Sequence, residues 1–170
     1  DSLKVDHLEV LDYGYTGIAA AGTFSQDAFN GRIVCSDPNL NFLFQGIFSL
    51  SSKTQNALYQ FYANLGYADL HALNIDKRGT SRISLTTQAN FTRVSGEEIL
   101  GNINVNGIVL EDEHGRHNVG DIEISSYANN DLNRVKFKSG FADGTYSGTR
   151  FFKSFINDIK SRVSCNMFRI

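Results

Sequence analysis

The chain reads as all-β: a curved antiparallel meander forming an open, groove-like sheet, closed off by one C-terminal amphipathic helix. Three observations predict this. Apolar side chains recur at every second position in segment after segment, the period of a pleated strand with one apolar face. The polar stretches between segments are of hairpin length, too short for a crossover helix. Helical spacing is clear only near the end, over 150–163. The reading therefore divides the chain into a sheet over 1–149 and a helix with its tail over 150–170.

The segment 41–50, Asn-Phe-Leu-Phe-Gln-Gly-Ile-Phe-Ser-Leu, is the strongest single signal. Phe42, Phe44, Phe48 and Leu50 fall on one face, with Gly46 as the small member of the row, while the other face is mixed. Such a row needs a large apolar counterpart: another sheet, a helix or a ligand. Before it, residues 1–15 carry Leu3, Val5, Leu8, Val10 and Leu11, which suit a strand or one irregular helical turn. Ile18, Ala20, Gly22 and Phe24 alternate, and Phe29, Gly31, Ile33 and Cys35 form the next row. Ser36-Asp37-Pro38-Asn39 is a turn and holds the single proline.

After the central segment, Tyr59, Phe61, Ala63 and Leu65 alternate; Leu58, Phe61 and Leu65 also fit helical spacing, and strand is the reading taken. A compact apolar stretch over 67–75 ends at a charged turn. Ile83, Leu85, Thr87, Ala89 and Phe91 make a fifth row. Gly101, Ile103, Val105, Gly107 and Val109 alternate with Asn102, Asn104 and Asn106, apolar on one side and polar on the other. Residues 111–118 form a charged turn, Ile122 and Ile124 return, and Val135, Phe137, Gly144, Tyr146 and Gly148 supply the last rows. Nine or ten strands result. In 150–163, Phe152, Phe155, Ile156, Ile159 and Val163 make the apolar stripe of the helix.

Composition narrows the function. With 170 residues the chain has room for one domain with a core. A formal charge of -2 and a pI near 6.1 leave no broad basic face, so nucleic acid is not an expected partner. No apolar run reaches the length of a membrane-spanning helix, and a chain starting at Asp1 is expected to be a piece of something longer. Cys35 and Cys165 make no disulfide framework; buried free thiols are the reading taken, with a pairing left open. The acidic and histidine residues of 111–117 match no usual zinc spacing and read as a solvated turn. His71 reads as a structural histidine and His7 has no recognisable partner. No nucleophile elbow and no phosphate-cradling loop is present, so neither catalysis nor a cofactor is expected. Glycines inside the apolar rows (Gly22, Gly31, Gly46, Gly101, Gly107, Gly144, Gly148) predict curvature or close backbone approach. A curved meander with one apolar face is a trough, either filled as an ordinary core or left open.

The run Ala68-Asp69-Leu70-His71-Ala72-Leu73-Asn74-Ile75-Asp76-Lys77-Arg78, with Ser81-Arg82-Ile83-Ser84 and Ala89-Asn90-Phe91, resembles the TamB-like translocation and assembly module proteins, the large Bacteroidota versions above all. Phe29-Asn30-Gly31, Phe44-Gln45-Gly46, Gly101-Asn102-Ile103 and Lys138-Ser139-Gly140-Phe141 are similar to the same family's strand-turn pattern, so the resemblance runs from Gly17 to the helix. It implies kinship with AsmA-like bridge proteins, anchored in the inner membrane and crossing the periplasm. Their curled sheets form an apolar groove for phospholipid, working with a barrel protein of outer-membrane assembly.

On that basis the expected function is a passive conduit that shields acyl chains. The expected lining is Phe42, Phe44, Phe48, Leu50, Phe61, Ile83, Leu85, Phe91, Ile103, Val105, Ile122, Ile124 and Phe137. A scaffold that guides client strands by β-augmentation is the alternative, and edge-to-edge pairing of separate copies would use the same open edges. A carbohydrate-binding or adhesin sandwich would display aromatic or acidic loop clusters, and an outer-membrane barrel would carry more continuously apolar rows.

Overall fold

A computed structural model describes residues 2–25, 27–50, 57–77, 79–95, 98–129 and 132–148. Twelve strands are present: β1 (Ser2–Val5), β2 (Leu8–Val10), β3 (Tyr13–Tyr15), β4 (Ile18–Ser25), β5 (Ala28–Asp37), β6 (Leu40–Ser49), β7 (Ala57–Asp69), β8 (Ser81–Ser95), β9 (Glu98–Asp112), β10 (Gly115–Asn129), β11 (Leu132–Ser139) and β12 (Asp143–Gly148). Ten of them form one antiparallel sheet in the order β1-β4-β5-β6-β7-β8-β9-β10-β11-β12, and β2 pairs with β3 apart from it. The sheet is not closed: β1 and β12 stand at its two edges. The meander expectation therefore holds for every strand from β4 onward. The helix expected over 150–163 lies outside the described residues.

Several boundaries differ from expectation for local reasons. Residues 1–15 split into an edge strand and a two-stranded hairpin, because Leu11 and Asp12 take left-handed φ values of 55° and 59° that turn the chain between Val10 and Tyr13. The apolar stretch over 67–75 is part strand and part turn. β7 runs on to Asp69, and the chain then closes on itself through Leu73 N to Asp69 O (3.0 Å) and Ile75 N to Leu70 O (2.9 Å). Leu73 is the only large side chain less than 2% exposed among the described residues, so the tightest packing caps one end of the strands. His71, expected as a structural histidine of that apolar stretch, is exposed in the cap.

Apolar periodicity sets the register. Phe29 pairs with Phe48, Phe48 with Tyr59, Tyr59 with Phe91, and Phe91 with Gly101. A one-residue slip anywhere would turn every aromatic ring to the opposite side, so the pattern locks the pairing. Register shifts interrupt the ladders between Asn41 and Phe42, Leu65 and Ala68, Ser84 and Thr86, and Asn118 and Ile122, in the half of the sheet nearest the Leu73 cap, and once at the other end, between Arg93 and Ser95. Extra residues of this kind bend the strand that carries them.

Candidate functional site: the apolar face of the sheet

Antiparallel pairing places residues directly opposite one another on the same face, so the sheet's faces follow from register. One face carries Phe42, Phe44 and Phe48 from β6, Phe61 from β7, Leu85 and Phe91 from β8, Ile103 and Val105 from β9, Ile122 and Ile124 from β10, and Phe137 from β11. Ile83 joins them beyond the β7 bulge, opposite Ala68 and Leu110. Twelve of the thirteen expected lining residues thus share one continuous surface. Leu50 is the exception: it lies just past the end of β6 and is 58% exposed, its amide donating to Asp27 O. The alternation that placed it in the row does not extend past Ser49.

The opposite face is polar across much of its width. Gln60, Asn90 and Asn102 stand in line, as do Gln88, Asn104 and Glu123, and Lys136 lies 5.6 Å from the Tyr127 ring centroid. A sheet with one oily and one wet side ordinarily buries the oily side against a second layer. Here the substantial contacts among described residues run only between hydrogen-bonded neighbours.

The aromatic rings show the consequence. Phe24 and Phe29 are 4.8 Å apart between centroids, Phe29 and Phe44 6.1 Å, Phe44 and Phe61 5.3 Å, and Phe48 and Tyr59 5.1 Å. Tyr59 and Phe91 stack at 4.6 Å with 14° between planes. Every one of these pairs joins adjacent strands of the same sheet; no described ring meets another across a filled interior. Phe29 and Phe44 are buried within this ladder, whereas Phe48 is 39% and Phe24 72% exposed. Most other members, including Phe42, Phe61, Phe91, Ile103, Ile122, Ile124 and Phe137, are half-buried. Phe29 and Tyr59 belong to the same ladder and were not among the expected lining residues. Their signal was available, since each sits at the correct parity in its own alternating row.

At one end of this face Asp37 organises a polar knot. Its Oδ1 accepts from the Tyr13 hydroxyl (2.5 Å) and the Asn39 amide (2.9 Å), and its Oδ2 from the Thr16 amide and hydroxyl (both 2.9 Å). Burial pushes this carboxyl up, but the four hydrogen bonds outweigh burial and hold its pKa below the usual carboxylate range. Cys35, one pleat away on the same face, is a buried free thiol whose pKa burial raises, which makes it a poor nucleophile. Its suggested partner Cys165 lies outside the described residues.

The charged cluster over 111–117 forms the β9–β10 hairpin. Asp112 Oδ1 accepts from the His114 amide (2.8 Å) and lies 3.1 Å from His117 Nε2, so these side chains close the turn on one another. Across the strands Arg82 bridges Asp69 (2.9 Å) and Glu111 (3.2 Å) on the polar face. With Arg82 and Glu111 both about half solvated, the Arg82–Glu111 pair aligns strands more than it stabilises them.

No protein-family description, curated protein or solved structure matches this chain.

Proposed function

We propose that the apolar face of the sheet is a binding surface for hydrocarbon chains, and that the protein shields phospholipid acyl chains from water as part of a periplasmic conduit between membranes. One observation carries the reading: ten strands gather aromatic and aliphatic side chains on one face, most of them only half-buried, and the substantial contacts among described residues run only between neighbouring strands. Contiguous exposed apolar surface of this extent is what interaction sites use, because leaving it in water is costly. In this reading the sheet curls about its apolar side, and the TamB-like resemblance supports the same geometry. No catalytic group is asked for. Each methylene moved out of water is worth about 0.8 kcal/mol, so withdrawing a two-chain lipid costs on the order of 20 kcal/mol. A surface that keeps the chains covered while headgroups stay solvated removes most of that barrier.

The test is lipid capture by the purified protein, read by mass spectrometry, with photo-crosslinkers at positions 48 and 103. Phe48 suits substitution better than Phe44. Phe44 is 8% exposed, and an aspartate there would place an unpaired charge in a buried site. Phe48→Asp and Ile103→Asp are expected to abolish capture while leaving the far-ultraviolet circular dichroism of the sheet intact. Wild-type protein free of lipid, with no crosslink from either position, would sink the reading.

A second reading rests on the two edges. Among the described strands β1 and β12 each have one hydrogen-bonded neighbour, so each presents an edge to which a client strand could be added. Capture through an edge is expected to be indifferent to Phe48→Asp and to be lost when proline replaces Thr145 in β12.

A further inference from the structure

The aromatic row is not continuous across the sheet. Read along the pairing, it runs Phe24, Phe29, Phe48, Tyr59 and Phe91, then meets Gly101 and Ser126 before resuming at Val135 and Tyr146. The two small residues leave a notch of about 50 Å³ lined by Phe91, Ile99, Gly101, Ile103, Ile124 and Ser126. On the same measure a single water needs about 10–15 Å³, so the notch has room for a short stretch of hydrocarbon chain. It offers water almost nothing to bond, because Ser126 supplies the single side-chain polar group in its lining. An apolar void of this kind favours hydrocarbon over solvent.

A cation stands beside it. Arg93 is directly opposite Ile99, one of the notch walls, and shares the face of Phe91 by parity. It lies two residues, or about 7 Å along the strand, beyond the Phe91–Gly101 pair. By register it is the sole lysine or arginine on the apolar face among the described strand residues. Among the described side chains of the strands, the carboxylates on that face, Asp37 and Asp112, sit toward the opposite end. Both are already engaged, Asp37 by Tyr13, Thr16 and Asn39 and Asp112 by His114 and His117. Arg93 also has an interaction within the protein, but a guanidinium has five N–H donors to share.

We propose that the notch and Arg93 together form a head-proximal seat for an anionic amphiphile. The charged head lies at the guanidinium, the first part of the chain fills the notch, and the remainder runs toward Val105 and Ile122. This rests on the reading of the face as a hydrocarbon surface and adds to it a ligand charge and an orientation. Carboxylate and phosphate heads satisfy the same chemistry.

The experiment uses the whole chain with palmitate, 1-palmitoyl lysophosphatidate and hexadecyltrimethylammonium, followed by calorimetry. Wild type is expected to prefer the two anions to the cation, and their relative affinities identify the head. Ser126→Leu fills the notch and is expected to weaken both anions about tenfold. Arg93→Gln is expected to erase most of the preference for anion over cation, about tenfold, by removing a charge-assisted hydrogen bond. Stearate spin-labelled at carbon 5 should broaden the Ile103 and Ile124 methyl resonances of wild type more than stearate labelled at carbon 16, a readout independent of any variant's folding. Equal broadening by the two labels, or variants that bind like wild type, would overturn the seat while leaving the hydrocarbon surface standing. A wild type that binds none of the three probes would remove the surface itself, and the seat with it.

Discussion

Gly46→Ala is expected to cost about 3 kcal/mol and to lower the thermal midpoint by about 10 °C, a large effect for one methyl group. Gly46 has φ of 140°, in a region that side-chain-bearing residues rarely enter. A Cβ there would lie 2.2 Å from the Gln60 carbonyl oxygen and 2.5 Å from Phe61 Cα. These are backbone atoms of a paired strand, held by the ladder, and they cannot yield as a flexible side chain would. Gly101 repeats the arrangement, with φ of 137° and a virtual Cβ 2.2 Å from Asn90 O and 2.5 Å from Phe91 Cα. In both cases the residue opposite is a phenylalanine of the apolar face, Phe61 or Phe91. Each glycine lets a neighbouring strand bearing a large ring approach without a clash. Gly101→Ala should match Gly46→Ala within about 1 kcal/mol. Gly144, opposite Phe137 but with nothing within 4 Å of its virtual Cβ, is the control: Gly144→Ala should be neutral or slightly stabilising. Urea titrations followed by circular dichroism measure all three, and equal midpoints would refute the close-approach account.

These glycines also mark how far the sequence can be read. Their presence inside apolar rows signalled curvature or close approach, and at Gly46 and Gly101 close approach is what the backbone shows. Period-two patterning identified the strands from β4 onward because each buries one face more than the other, and alternation is the direct imprint of that asymmetry. The same logic placed twelve of the thirteen residues expected to line a groove on what proves to be one face of the sheet. Leu50 failed because periodicity carries no information about where hydrogen bonding stops, and β6 stops at Ser49. Phe29 and Tyr59 were passed over as lining although their rows were recognised. Parity within those rows already places both on the apolar face, and register adds only which rings they meet.

What alternation could not decide was whether the oily face is consumed by the protein itself. A filled sandwich and an open sheet have the same local pattern, since each strand sees one dry side in either case. The difference lies in long-range contacts, and here those among described residues follow the ladder from strand to neighbouring strand. The apolar rows therefore pack sideways, ring against ring, and leave their outer surfaces half open. That arrangement leaves most of these side chains only part-buried, Phe29, Phe44 and Val135 excepted, so this face yields less folding free energy per residue than a closed core would. Stability must then lean more heavily on the hydrogen-bond ladder and on the few fully buried positions.

Asp37 is the polar position of that kind with the most at stake. It ends β5, is 6% exposed, and ties the β2–β3 hairpin and Thr16 to the main sheet through the four hydrogen bonds it accepts. Sequence reading treated it as one letter of a turn because its partners Tyr13 and Thr16 lie 24 and 21 residues away. Asp37→Ala leaves the Thr16 amide and the Tyr13 hydroxyl without their acceptor and is expected to cost about 3 kcal/mol, with the hairpin amides losing hydrogen-exchange protection first. Asp37→Asn retains one acceptor but turns an amide donor toward other donors, and should cost about 2 kcal/mol. The pH dependence has a definite sign. A carboxyl whose folded pKa lies below its unfolded value of about 3.9 contributes its full stabilisation above that pH. The contribution fades as pH falls through the lower folded value, when the native state too must take up the proton. Wild type should therefore lose stability below about pH 4 more steeply than Asp37→Asn, whose stability has no such term. Parallel acid limbs for the two proteins, measured by urea unfolding from pH 6 down to pH 2.5, would show that the knot is not held by charge.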